Sequence, residues 1–187
     1  MRRNLLKLID NPVVMETHGG YGGIWNQCYT DVVNGVVMEK DPKKCDILCK
    51  QRPTWAVYEC DCESALWGGI GSHLPINFVD FDPYGEPWPI IDAFFQSKRM
   101  FPTVLAIAVN DGLRQKLKTN SGWSVESMSE MVGKYGNNAL YKNYLEICRE
   151  LLEEKASQRG YSLTHWAGYY CGYLDQMTHY TAIFTKP

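Results

Sequence analysis

What the sequence lacks narrows its class first. No apolar run in the 187 residues approaches the ~20 that a membrane-spanning helix needs, so no membrane partner is expected. The basic start, Met1-Arg2-Arg3, leads into an apolar stretch cut by Lys7 and Asp10, with no small-residue cleavage site. No signal peptide is read there, and the cytoplasmic compartment is the expectation. The seven cysteines form no paired C-x-x-C set. That removes the usual zinc module and any disulfide framework, and no metal site is expected. Cys60 and Cys62 alternate about Asp61 and at strand spacing would share a face. No serine or cysteine has a recognisable base partner, which gives covalent catalysis little support. A net charge of −2 argues against a broad surface for coating nucleic acid.

What is present is an ordinary soluble composition, 45% apolar and 21% charged, in a chain suited to one domain spanning 1–187. Short apolar runs alternate with segments of helical period, the pattern of parallel βαβ units. "NPVVME" (11–16), "GVVMEK" (35–40), "TWAVYEC" (54–60), "PINFVDFD" (75–82) and "TVLAIAV" (103–109) read as five strands. A helix from Gly22 to Val33 is expected to close on Asn34-Gly35, and Asp41-Pro42 opens the next. Residues 119–138 are polar and contain glycine, an excursion or lid. Leu140, Tyr144, Ile147, Cys148, Leu151 and Leu152 then recur at helical spacing, with Gly160 as the stop. The tail reads as two strands turning near Asp175-Gln176. The fold class is α/β: a doubly wound, mostly parallel, Rossmann-like seven-stranded sheet with an antiparallel edge.

Such sheets bind ligands beyond the carboxyl ends of their strands, so the strand ends are where function is sought. The first ends in "ETHGGYGG", with Glu16 four residues before Gly20 and six before Gly22. The glycines let backbone approach a ligand closely. A third glycine, which a dinucleotide fingerprint wants at position 25, is replaced by Trp25, disfavouring a nicotinamide enzyme. The second strand ends in Glu39 and the third leads to Asp61. Each acid could cap a helix, but a carboxylate in Glu39's place also suits two ribose hydroxyls.

These motifs resemble the class I S-adenosylmethionine-dependent methyltransferases, in which an acid precedes a Gly-x-Gly turn. The resemblance implies S-adenosyl-L-methionine as cofactor, with Glu16, His18, Gly20, Tyr21, Gly22, Glu39, Lys40, Asp61, Cys62 and Asp82 around it. After the fourth strand, Asp82-Pro83-Tyr84 has the form that members acting on exocyclic amines carry. A nucleobase amine is a poor nucleophile because its lone pair is delocalised. A carboxylate and an inward carbonyl can orient it, and an aromatic ring can stack on the base. "VDFDPYGEPWPIIDAFF" (79–95), "KYG" (134–136) and "THYTAIF" (178–184) are similar to segments of the tRNA guanine-N2 dimethyltransferase family. That likeness implies that Asp82, Pro83, Tyr84 and Gly85 form the target-amine pocket, with RNA more favoured than DNA as partner. Glu86 and Trp88 stand where the family has smaller residues, implying a bulkier, more acidic mouth.

No counterpart of the family's long C-terminal domain is expected from these residues. Contacts to RNA would then come from basic clusters near 40–52 and 114–118, or from a partner protein. Alternatives remain: a methyltransferase acting on DNA, protein or another amine-bearing small molecule, or a non-catalytic subunit of the same fold. Asp111 could face substrate or cap a helix, and His165 and His179, among tyrosines in the terminal strands, read as structural.

Overall fold

A computed structural model of the chain describes residues 1–119 and 126–187. The strands among them are β1 (Val13–Glu16), β2 (Asn34–Glu39), β3 (Ala56–Glu59), β4 (Phe78–Phe81), β5 (Val104–Asp111), β6 (Ser162–Cys171) and β7 (Met177–Thr185). They form one sheet in the order β3-β2-β1-β4-β5-β7-β6. Strands β1 to β5 run parallel, and β7 runs antiparallel to both β5 and β6. The antiparallel edge is therefore a hairpin with β6 outermost. Chain order reverses between β1 and β4, which puts the switch point of the sheet there.

The helices are α1 (Arg2–Leu6), α2 (Gly23–Cys28), α3 (Pro42–Gln51), α4 (Cys62–Trp67), α5 (Trp88–Gln96), α6 (Leu113–Thr119), α7 (Glu126–Tyr135), α8 (Asn137–Lys142) and α9 (Tyr144–Ser157). Successive strand residues face opposite sides of the sheet. Val14, Val37, Phe78 and Ala108 pack with Leu5, Tyr29 and Leu48 on the side of α1, α2 and α3. Met15, Met38, Val79 and Ile107 pack with Leu66, Phe94, Leu113 and Leu152 on the other. The same parity sends Glu16, Glu39, Asp80, Asp82 and Asn110 toward α1–α3. Four adjacent strands thus aim their polar ends to one side.

Several expected boundaries shift. Helix α2 stops at Cys28, and Asn34 and Gly35 open β2 instead of capping it. Gly35 is needed for packing: a Cβ there would come within 2.6 Å of the Trp55 ring. The helix expected from Leu140 divides at Asn143, whose φ of −109° and ψ of 23° are not helical, so Leu140 belongs to α8. Cys60 follows β3 while Cys62 begins α4, so they share no strand face. Of the excursion at 119–138, residues 120–125 lie outside the described residues; the described remainder is almost all helix. No helix among the described residues is long and apolar enough to cross a membrane.

Candidate active site

The turn after β1 is fixed from several sides. Thr17 donates to the Asp80 carbonyl through its N–H at 3.0 Å and its hydroxyl at 3.1 Å. His18 lies between the Thr17 hydroxyl (Nδ1, 3.0 Å) and the Cys62 thiol (Nε2, 3.3 Å). Burial lowers the His18 pKa, which favours a neutral ring. Gly19 donates to the Met38 carbonyl at 3.0 Å and has Leu48 where a side chain would go. Gly20, at φ +52°, adopts a left-handed conformation, and a Cβ built there would meet nothing within 4 Å. The turn is rigid where it packs and open where it faces outward.

Among the described residues, Glu39 is held by backbone N–H groups. Its Oε2 accepts from Gly20 N–H at 2.8 Å, and its Oε1 from Lys40 and Asp41 N–H, each at 3.0 Å. Asp61 caps α4 through the Ser64 N–H at 3.0 Å, and that bond is the main cause of its lowered pKa. Capping and lining coexist: with His18, Glu39, Lys40, Cys60 and Cys62, Asp61 borders a small cavity of about 80 Å³. A larger cavity of about 510 Å³ is lined by His18, Gly20, Tyr21, Glu39 and Lys40 from one side and by Asp82-Pro83-Tyr84 from the other. The two meet at His18, Glu39 and Lys40.

Behind Asp82 lies a charged cluster. Asp80, fully buried, accepts from Arg2 at 2.7 and 2.8 Å and from the Tyr29 hydroxyl at 2.5 Å. Asp82 accepts from the Asn110 amide and lies 3.6 Å from an Arg2 nitrogen. Burial raises the Asp82 pKa, followed by the neighbouring Asp80 charge; Arg2 and Asn110 oppose the rise. Arg2 and Asn110 escaped sequence reasoning. Only the basic start hinted at the first, and a lone asparagine at a strand end carries no signal.

Three expected site residues lie away from the cavities. Glu16 is wholly buried and ion-paired with Arg52, itself packed against Trp25 and Trp55. Gly22, the cap of α2, faces Gln51, where a Cβ would fall 2.2 Å from the side-chain oxygen. Gly85, at φ +126°, accepts from Gly112 N–H at 2.8 Å and so ties two strand-end loops together. Trp88 does not shape the mouth: it is buried at the start of α5, 3.4 Å from the Tyr144 hydroxyl. Glu86 pairs with Lys116 at 3.4 Å. Asp111 faces the opposite core and accepts from Leu113 N–H at 2.8 Å and from the Tyr144 and Tyr180 hydroxyls at 2.9 and 3.2 Å.

No protein-family model matches the chain. Its sequence is 28% identical over 112 residues to a tRNA (guanine(26)-N(2))-dimethyltransferase of Thermoplasma volcanium, a match covering 60% of this chain and 31% of that relative. The chain thus matches under a third of the relative's length. Among solved structures, M. jannaschii TYW2 in complex with AdoMet aligns with a TM-score of 0.59 at 15% identity, covering 100% of this chain and 74% of that one. N-methyltransferase NodS from Bradyrhizobium japonicum WM9, in complex with S-adenosyl-l-homocysteine, gives 0.59 at 10% identity, covering 100% and 85%. The chain has the Rossmann-like fold of the class I S-adenosylmethionine-dependent methyltransferases.

Proposed function

We propose that this protein is an S-adenosylmethionine-dependent methyltransferase that modifies an exocyclic amine of a nucleobase, with guanine N2 in RNA as the target. One observation carries the reading: the ends of β1, β2 and β4 bring an open glycine turn, an anchored carboxylate and Asp82-Pro83-Tyr84 to one cavity. The partial likeness to a guanine-N2 dimethyltransferase supports the choice of acceptor.

The residues fit the cofactor. Backbone N–H groups orient both Glu39 oxygens and leave lone pairs for the ribose hydroxyls. Gly20 exposes backbone without a side chain in the way, and neutral His18 adds no charge. The low-pKa carboxylate of Asp61 in the small cavity suits an adenine amino group. Gly22 and Glu16 act behind this surface by shaping the turn and the core.

When bound, the cofactor supplies a methyl group made electrophilic by the attached sulfonium. Asp82 accepts an N–H bond from the target amine and turns its lone pair toward that methyl. Asp82's raised pKa suits it to take up the proton released as the new N–C bond forms. Pro83 brings no competing N–H. Tyr84, fully exposed at the mouth, supplies a ring for stacking by a base that flanks the target. Lys40 and Lys44 on the cavity wall suit the phosphates of a nucleic acid.

Acceptors in DNA, protein or small molecules form a second reading, favoured by the net charge of −2. Tritiated-methyl transfer to tRNA transcripts, DNA and lysate fractions separates the two. We expect label in tRNA, reduced roughly 10- to 150-fold by Asp82→Asn, the span of one hydrogen bond to a charged group. S-adenosylhomocysteine affinity should fall far less than methyl transfer in that variant. Label only in a fraction free of nucleic acid would overturn the RNA assignment.

A further inference from the structure

A second cavity, of about 570 Å³, lies beside the one that holds Asp82 and shares Ile24 and Gln27 with it. Its sheet side runs along one register line: Asn110 of β5 pairs with His179 of β7, and His179 pairs with Tyr169 of β6. Asp82 extends that line by accepting from the Asn110 amide. Four polar or aromatic side chains from neighbouring strands therefore share one face. Across from them stand Arg2 and Arg3 at the start of α1.

Two features of this line are not explained by packing alone. Tyr169 and His179 place their rings 5.2 Å apart, with the tyrosine hydroxyl 3.2 Å from Nδ1, yet Tyr169 stays 45% exposed. The Asn110 side-chain oxygen is buried without a hydrogen-bond partner among the described residues, although its amide is engaged by Asp82. An unmet buried acceptor costs about 1–3 kcal/mol. Arg3, exposed at the rim across from this line, donates through Nε to the Gln27 carbonyl and brings a positive charge to the cavity edge. A flat ring with a donor edge answers both, and a phosphate carried on it would suit the charge of Arg3.

We propose that this second cavity is the acceptor site, in which a nucleobase stacks on the Tyr169–His179 pair with its N–H edge toward Asn110 and Asp82. The inference rests on the methyltransferase reading and names the residues that would select its acceptor. Burial, with Arg2 nearby, lowers the His179 pKa, so its ring is neutral and free to stack.

The test uses the full chain saturated with S-adenosylhomocysteine. Ring signals of His179 are followed by ¹H–¹³C NMR while guanosine 5′-monophosphate, or inosine 5′-monophosphate lacking the exocyclic amine, is added. Guanosine monophosphate should shift these signals saturably, and inosine monophosphate should bind more weakly. Tyr169→Ala should weaken guanosine monophosphate binding about 5- to 150-fold, the range for losing one base–aromatic stack, while Tyr169→Phe should keep most of it. His179 signals unmoved at saturating nucleotide, with S-adenosylhomocysteine bound, would overturn the acceptor site and leave the methyltransferase reading standing. Failure of S-adenosylhomocysteine itself to bind would instead overturn that reading.

Discussion

Glu16 and Glu39 look alike in the sequence. Each closes a parallel strand next to the other's and points to the same side of the sheet, yet their environments are opposite. Glu16 is sealed in the core and neutralised by one guanidinium, from Arg52, thirty-six residues along the chain. Glu39 is steadied by three backbone N–H groups, costs no partner charge and borders both cavities at the mouth of the turn. A carboxylate matched by a side-chain cation is used up by that match. One held by backbone amides keeps its outer lone pairs open to a ligand. The difference separates a structural acid from the acid proposed to bind the cofactor.

The contrast breaks hardest at Arg52. The Glu16–Arg52 pair is fully buried, and Glu16 Oε1 and Arg52 Nε and Nη2 have no hydrogen-bond partner among the described residues. Removing one member strands the other, so Arg52→Ala should cost about 3–5 kcal/mol in urea unfolding. Replacing both by apolar residues of similar volume should be nearly neutral. A loss below about 1 kcal/mol for Arg52→Ala would mean the pair is not the lock described.

A third strand-end acid sharpens the comparison from the other face. Burial pushes the Asp111 carboxyl up to about 7 against an ordinary value near 3.8. Between those values the folded state holds a proton that the unfolded chain has lost. Stability from this group is therefore greatest below about pH 4 and declines as pH rises toward 7. Unfolding midpoints at pH 5 and pH 8 should show that decline in the native protein and a flatter profile in Asp111→Asn. Equal slopes in the two proteins would remove Asp111 from the account.

The smallest effect is expected at the turn. Gly20→Ala meets no neighbour but forces a left-handed φ of +52° on a residue with a Cβ, costing about 1 kcal/mol. Gly22→Ala adds a collision with Gln51 and should cost more by thermal unfolding. The reverse ranking would show the turn is not built as described.

The sheet was legible because its evidence is local. Apolar runs bounded by turn residues locate β1 to β5 and the terminal pair, and the acids at their ends are visible as such. Asp82-Pro83-Tyr84 was legible for the same reason. What escaped depends on distant pairing. Nothing beside Glu16 announces Arg52, and nothing beside Asp80 announces Arg2, seventy-eight residues away. The place of His179 next to Asn110 emerges only when β7 is set beside β5. Helix ends slipped where packing overrode local signals: Gly35 makes room for Trp55, and Asn143 interrupts an otherwise continuous apolar period.

The most direct test is calorimetric titration of S-adenosylhomocysteine into the native protein, Glu39→Gln and Glu16→Gln. The native protein should bind saturably. Glu39→Gln should bind about tenfold more weakly or worse, as expected for hydrogen bonds lost from a charged acceptor. Glu16→Gln should keep its affinity and lose thermal stability. No binding by the native protein, or a loss of affinity in Glu16→Gln that Glu39→Gln does not share, would contradict the assignment of the two acids and the site built around them.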